Sequence, residues 1–351
     1  MTELARLEPH ADTFPLPAPA GMADRDLSEA ARVRVAGGFA ENTSRAYQRD
    51  WETFITWSAA HARSPLPATP ETVAEYVTHL AGTPTRRGTL PAPSTIERAL
   101  ACIQSRHKKA GFSLNAEFAR LALRNYRKER AATGHRTRKA PPAELTVLRA
   151  LVDTTAPTLL GLRDRVVLLL GFALMGRRSE LAALDIADLT ITSDGLEVAI
   201  RRSKTDQDAV GEMVPLPYGS HPETCPVRVV QAWLAALETH GVTEGPLLRA
   251  IDRHGRLSGT PGATMRGTGR MSGDGLNQIV RRAAEKAGLK DAHTYTAHSL
   301  RAGGATAAAK AGASVSAIAR HGRWSDKSPV VHGYIRAADK WRDNPMRGVG
   351  L

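Results

Sequence analysis

Residues Leu159–Leu181, LLGLRDRVVLLLGFALMGRRSEL, decide how the C-terminal part of this chain is read. The run up to Met175 is apolar enough for a buried helix, and Arg177 and Arg178 follow it at once. A cation placed directly after a buried helix either snorkels at an interface or faces a ligand. Beyond it, LEVAIRRSK (196–204) and EMVPLPYG (212–219) alternate like two strands joined by the turn TDQDAVG. PAELTVLRALVDT before the stretch, and CPVRVVQAWLAALETHG and DGLNQIVRRAAEKAGL after it, read as helices. HGRLSGTPGATMRGTGRMSG (254–273) is a long glycine-rich loop. Residues 142–351 therefore predict a mixed α/β domain, mostly helical with a small antiparallel sheet.

The N-terminal part reads differently. Residues 1–38 carry Pro15, Pro17 and Pro19 with little periodicity and read as a flexible arm. In ENTSRAYQRDWETFITW, Thr43 or Ser44 can cap a helix that turns Tyr47, Trp51, Phe54 and Ile55 to one side. TPETVAEYVTHL predicts a second helix, with Thr69 as cap, Pro70 at its first position and Glu71 in its first turn. PSTIERALACIQSRHKKAG predicts a third, apolar at Ile96, Leu100 and Ile103 and basic at Arg98, Arg106, Lys108 and Lys109. NAEFARLALRNYRKERA predicts a fourth, bearing Arg120, Arg124, Arg127, Lys128 and Arg130. Residues 39–131 thus predict a small helical domain with basic faces. Residues 132–141, with Gly134, Arg136, Arg138, Lys139 and a proline, read as a basic linker. The fold class expected for the whole is mainly α.

The 351 residues carry 48 Lys and Arg against 35 Asp and Glu, a formal charge of +13. Such an excess suits a polyanion, nucleic acid before an anionic membrane. No run of some 18 apolar residues marks a spanning helix. The N-terminus lacks the basic-then-apolar order of a secretory signal. Two cysteines, Cys102 and Cys225, make no disulfide framework. The expectation is a cytoplasmic protein acting on DNA or RNA.

Four places concentrate groups suited to phosphate. They are Arg177 in GRRSEL, Lys204 in RRSKTD, His298 and Arg301 in AHSLRAGGAT, and Trp324 with Tyr334 in GRWSDKSPVVHGYIR. Breaking a phosphodiester requires charge stabilisation on the non-bridging oxygens, which the arginine fork supplies best. The leaving alkoxide requires a proton, which Lys or His can give. The attack requires a nucleophile, and a tyrosine hydroxyl can form a covalent ester with phosphate. The set supplies all of this without a metal. His293, His298, His321 and His332 cluster late in the chain, but no Cys or carboxylate set completes a tetrahedral site. Tyr295, just before His298, reads as a packing residue.

In order and spacing these residues resemble the tyrosine recombinases, also called phage-type integrases, and within them the Cre-like enzymes. The resemblance covers about 39–351. Arg177-Arg178-Ser179-Glu180-Leu181 matches the first box, Lys204 the hairpin lysine, His298-Ser-Leu-Arg301-Ala-Gly303 the second box, and Trp324 and Tyr334 the last two positions. Trp324 and Tyr334 are ten positions apart, one more than is commonest, with SDKSP as the place for the extra residue. The resemblance implies that Tyr334 attacks the scissile phosphate, leaving a 3′-phosphotyrosyl link and a free 5′-hydroxyl. It implies that Arg177 and Arg301 clamp the phosphate, His298 moves the tyrosine proton, Trp324 donates its indole N–H, and Lys204 protonates the leaving oxygen. It implies too that Glu180 holds the first-box geometry by hydrogen bonds. It implies no cofactor, a homotetramer on two duplexes exchanging strands through a four-way junction, and inverted-repeat DNA sites bound by a dimer each. The tail, 335–351, holds Trp341, Met346, Val349 and Leu351 and either folds back on its own domain or docks on a neighbour.

Two other functions share these residues: a type IB topoisomerase relaxing supercoils, and a non-catalytic DNA-binding relative. Candidate DNA contacts are Arg98, Gln104, Arg106, Lys108, Arg124, the linker residues Arg138 and Lys139, Arg202, and Arg281 and Arg282 beside Gln278.

Overall fold

The structure, a computed structural model, describes residues 28–31, 41–86, 88–134, 140–201, 211–264, 267–325, 328–339, 344–347 and 349. The expected arm lies outside these apart from 28–31, as do the linker cations Arg138 and Lys139, the hairpin residues Arg202 and Lys204, and Trp341 and Leu351 of the tail. Two compact units divide the chain at Thr137/Arg138.

The first unit is a bundle of four helices, α1 (Glu41–Ala60), α2 (Pro70–Gly82), α3 (Pro93–Lys109) and α4 (Glu117–Ala132). The sequence signals at α2 act as written: Thr69 accepts the Thr72 N–H and Pro70 opens the helix. At α1 they do not. The helix starts at Glu41, ahead of both expected caps, and Ile55 is 40% exposed. One residue turns a helix by about 100°, so Phe54, Trp57 and Ser58 face inward and Ile55 is carried past the edge of the core. The core is aromatic: Phe54 and Trp57 each lie within 5.0 Å of Tyr76, ring to ring.

The second unit is built on the opening stretch. Helix α6 (Leu159–Ala173) buries Val166 through Leu170 on every side, as expected of a helix with no polar face. Against it pack α5 (Leu145–Asp153), α8 (Pro226–Thr239), α9 (Gly273–Lys286) and α10 (Ala297–Lys310), with α7 (Arg178–Ala183) at its end. Gly303 and Gly304 let α10 approach closely, since a Cβ there meets the carbonyl oxygens of Ala143 at 2.1 Å and Phe172 at 2.3 Å. The sheet has three antiparallel strands, β1 (Leu189–Ile191), β2 (Gly195–Ile200) and β3 (Glu212–Pro217), in that order. The alternation predicted β2 and β3; β1, three residues long, leaves too short a pattern to read. β2 is described as Gly195–Ile200, and the part of the expected strand from Arg202 to Lys204 lies outside the described residues. Leu196, Val198 and Ile200 on β2 face the core with Val214 and Leu216 on β3. Helices α11 (Val315–Gly322) and α12 (Pro329–Asp339) close the unit against α10.

The glycine-rich loop is more ordered than its composition suggests. Arg249, 7% exposed, donates to the carbonyls of Glu244, Pro246, Ser258 and Thr268. Asp252 accepts from the backbone N–H groups of His254, Arg256 and Thr264. Asp185 then receives both Arg201, at the end of β2, and Arg270, at the end of the loop.

Candidate active site

The site forms at the end of α6, the starts of α7 and α10, the end of α11 and the middle of α12. After α6 the chain reverses through Met175, a non-glycine residue at φ 45°, and reaches Arg177, which precedes α7. An acid in the first turn of a helix meets its positive end. Here Glu180 Oε2 accepts the backbone N–H of Arg177 at 2.8 Å, and Oε1 accepts the Arg177 guanidinium at 2.5 Å. The outer Nη2 of Arg177 donates to the carbonyl of Arg323 at 2.7 Å.

Thr296 caps α10 and fixes its first turn, placing His298 and Arg301 three apart on one face. Arg301 is 3% exposed. It donates to the carbonyls of Met175 and Gly322, the latter at 2.6 Å. Its guanidinium carbon lies 3.7 Å from the centroid of the Trp324 ring, a cation–π contact. The indole thus meets Arg301 with its face. Gly322 makes the fold-back of that indole possible, because a Cβ there comes within 1.8 Å of the ring.

Helix α12 brings Tyr334. Val331 is fully buried, and Tyr334, three residues on, shares its side of the helix. The Tyr334 ring meets Trp324 at 5.7 Å with the planes 60° apart, and its hydroxyl lies 3.2 Å from Nε2 of His298. With a neutral imidazole protonated on Nδ1, the tyrosine O–H donates to Nε2. The structure therefore gathers Arg177, Glu180, His298, Arg301, Trp324 and Tyr334 in one place.

The electrostatics are those of an anion site. Three guanidiniums, of Arg177, Arg301 and Arg323, surround one carboxylate, Glu180. Burial alone would raise the Glu180 carboxyl, but the Arg323 charge and the Arg177 hydrogen bonds outweigh it and hold it below its ordinary value. Burial, then the charge of Arg177, lowers Arg301 to about 9, which leaves it cationic at neutral pH. Burial and the Arg301 charge lower His298, although the residue is exposed; the imidazole is neutral near pH 7 and can accept a proton. Burial raises the Tyr334 phenol, and Arg301 draws it part of the way back. A guanidinium has five donors, more than the two bonds named for Arg177 and the two named for Arg301 use.

Arg323 was not among the residues singled out from sequence, yet it is 3% exposed and bonds to Glu180 Oε2 at 2.9 Å. In a chain this basic one more arginine carries no signal. His321, read only as one of four late histidines, is tied to the carbonyl of Ala173 at 2.7 Å. Arg178 pairs with Asp274 at 2.7 Å, apart from this cluster. Tyr295 is buried.

The candidate DNA contacts are scattered. Arg98 forms a two-pronged pair with Asp50, at 2.8 and 3.0 Å, and Arg106 donates to Gln48 and covers the Trp51 ring, so both stitch α3 to α1. Gln104 is half-buried, Lys108 and Arg124 are exposed on the first unit, and Arg281 and Arg282 are exposed on α9. No helix among the described residues is long and apolar enough to cross a membrane.

Comparison with known proteins finds relatives over most of the chain. The model of the phage integrase family matches residues 141–340. An integrase/recombinase XerD homologue of Selenomonas ruminantium is 33% identical over 326 residues, covering 91% of this chain and 89% of that protein. The Cre recombinase of Escherichia phage P1 is 24% identical over 351 residues, covering 97% of this chain and 96% of that protein. In fold, the chain is similar to the XerH site-specific recombinase in its post-cleavage complex with a palindromic difH substrate, with a TM-score of 0.58 at 14% identity, over 93% of this chain and 85% of that one. From the order of its boxes, its mostly helical architecture and its relatives at full length, the chain belongs to the phage integrase family, the site-specific tyrosine recombinases.

Proposed function

We propose that this recombinase cleaves DNA with Tyr334 as nucleophile and rejoins it to a partner strand. The observation that carries the reading is the Tyr334 hydroxyl 3.2 Å from His298 Nε2, beside the buried Arg301. Neutral His298 takes the phenol proton as the oxygen attacks phosphorus. Arg177 and Arg301 hold the two non-bridging oxygens, whose charge grows in the transition state. The P–O5′ bond breaks, Lys204 gives the 5′-oxygen its proton, and a 3′-phosphotyrosyl ester remains. The ester keeps the bond energy, so a 5′-hydroxyl from another duplex reverses the step without ATP.

One tyrosine breaks one strand, and exchange between two duplexes breaks four. That arithmetic favours a homotetramer with a dimer on each site and a four-way junction between rounds. Symmetric protomers impose symmetric half-sites, which favours inverted-repeat DNA; the palindromic substrate of the XerH complex supports this. In this reading residues 39–131 are the core-binding domain and 142–351 the catalytic domain, with 132–141 crossing the DNA backbone between them.

The test is covalent capture. A library of nicked duplexes of random sequence is incubated with the protein, so that cleavage releases a short strand and traps the adduct. Detergent-stable adducts are then isolated and sequenced. Wild type forms adducts on sequences sharing an inverted repeat, and Tyr334→Phe forms none. Adducts from Tyr334→Phe, or none from wild type across the library, overturn the reading. Relaxation of any supercoiled plasmid regardless of sequence points to a topoisomerase instead.

A further inference from the structure

We infer that Arg323 is a positioning residue for the reaction: it fixes the orientation in which Arg177 meets the scissile phosphate. The inference rests on the reading of Arg177 as a phosphate clamp.

The geometry is that of one residue controlling both supports of another. The Arg177 guanidinium is held on one side by Glu180 Oε1, at 2.5 Å, and on the other by the carbonyl of Arg323, at 2.7 Å. The second support is the Arg323 backbone itself. The first is set by the Arg323 side chain, whose Nη2 takes the other oxygen of the same carboxylate at 2.9 Å. Two further bonds fix Arg323 in turn, from Nη1 to the carbonyl of His321 at 2.8 Å and from Nη2 to that of Leu174 at 3.2 Å. The carbonyl of Arg323 turns toward Arg177 because the residue adopts the left-handed conformation, φ 56°, at the end of α11. Glycine is the residue that normally serves there, so an arginine at that position is held by its side chain.

A bland alternative is that Arg323 only neutralises a buried carboxylate. Buried ion pairs contribute little net stability against apolar replacements of similar volume. What the pair does here is join the turn before Trp324 to the first turn of α7, and so set both arginines against one frame. The side chains of Glu180 and Arg323 are 2% and 1% exposed, which leaves them little freedom to rearrange.

The test uses Arg323→Gly, which tolerates the left-handed backbone and keeps the carbonyl while removing the guanidinium. Arg323→Lys is the conservative variant. The probe is a duplex captured by the wild-type protein in the assay above. Arg323→Gly is expected to form adduct about 10²-fold more slowly, the cost of a misplaced catalytic group, with affinity for the duplex unchanged. Arg323→Lys recovers a large part of the rate. In an Arg177→Ala background, Arg323→Gly costs nothing further, because the residue it positions is gone. A full additional loss in that background overturns the inference, as does a wild-type rate for Arg323→Gly.

A second readout needs no DNA. In the free protein, the Nε–H resonance of Arg177 is dispersed in wild type and moves to the averaged position of exposed arginines in Arg323→Gly; an unmoved resonance overturns the inference. If the glycine variant does not fold, Arg323→Lys carries the same two readings with smaller amplitude. If the wild type captures no duplex, the nucleophile reading fails, and the resonance still decides this one.

Discussion

The two units use arginine in opposite ways. In the first, Arg98, Arg120, Arg124 and Arg127 are exposed on α3 and α4, paired, where paired, with carboxylates such as the half-buried Asp50 and the exposed Glu97. In the second, Arg163, Arg249, Arg301 and Arg323 are each at most 7% exposed, and most of their bonds go to backbone carbonyls. A surface cation contributes field, which depends on charge and is screened by salt. A buried cation held by carbonyls contributes direction, which depends on the shape of the fork. The exposed Arg124 of α4 should therefore tolerate exchange for another cation, unlike Arg98 in its two-pronged pair with Asp50 and unlike the buried arginines of the second unit.

The largest effect that follows is at Arg301. Arg301→Lys keeps the charge and loses the fork over Trp324, so adduct formation should fall about 10²- to 10³-fold, while Arg124→Lys on α4 should leave it unchanged. Equal losses in a capture assay would erase the distinction. A smaller effect separates charge from shape in the first unit. Arg124→Ala should weaken binding to all duplexes alike and reduce the slope of log affinity against log salt by about 1; a change of sequence preference would instead give Arg124 a directional role.

The smallest effect is acid sensitivity. His321 is lowered by burial, and Glu180 and Asp185 are held low by their arginines against the opposing effect of burial. A group with a depressed folded value adds stability above its unfolded value and loses it as pH falls. The second unit should thus begin to loosen below pH 6.5, where His321 in the unfolded chain takes up its proton, and more steeply below 4.5, where Glu180 follows. In the first unit the shifted groups among the described residues are Tyr76, Cys102 and Tyr126, pushed upward chiefly by burial, Cys102 to about 11, and Arg98, raised by its hydrogen bond to Asp50. Their titration is alkaline, so amide resonances of the first unit should outlast those of the second as pH is lowered. Simultaneous loss would show that the units melt as one.

This contrast also explains what could be read in advance. Helices α1 to α6, α8 and α9 were legible because periodicity and caps such as Thr69 and Pro70 are local signals; the short α7 and α11 were not read. β2 and β3 were legible from alternation, and β1 was too short to alternate. In the site, Arg177, His298, Arg301, Trp324 and Tyr334 were legible because their order along the chain is a pattern. Arg323 and the closure of the glycine-rich loop by Arg249 were not. Both depend on carbonyls, and every residue has one, so the sequence carries no mark of which will be used. The same limit applies to Arg98, whose partner Asp50 lies 48 positions away.

The ten-position interval between Trp324 and Tyr334 acquires a meaning from α12. The tyrosine is indexed from Val331, which is buried three residues before it on the same helix, and the helix begins at Pro329. A residue inserted upstream of Pro329 lengthens a tether and leaves that phase intact. One inserted between Val331 and Tyr334 rotates the hydroxyl about 100° around the helix axis, away from His298. Length variation in this lineage should therefore accumulate on one side of a proline and be forbidden on the other, and an engineer seeking room for an insertion has the boundary marked to the residue.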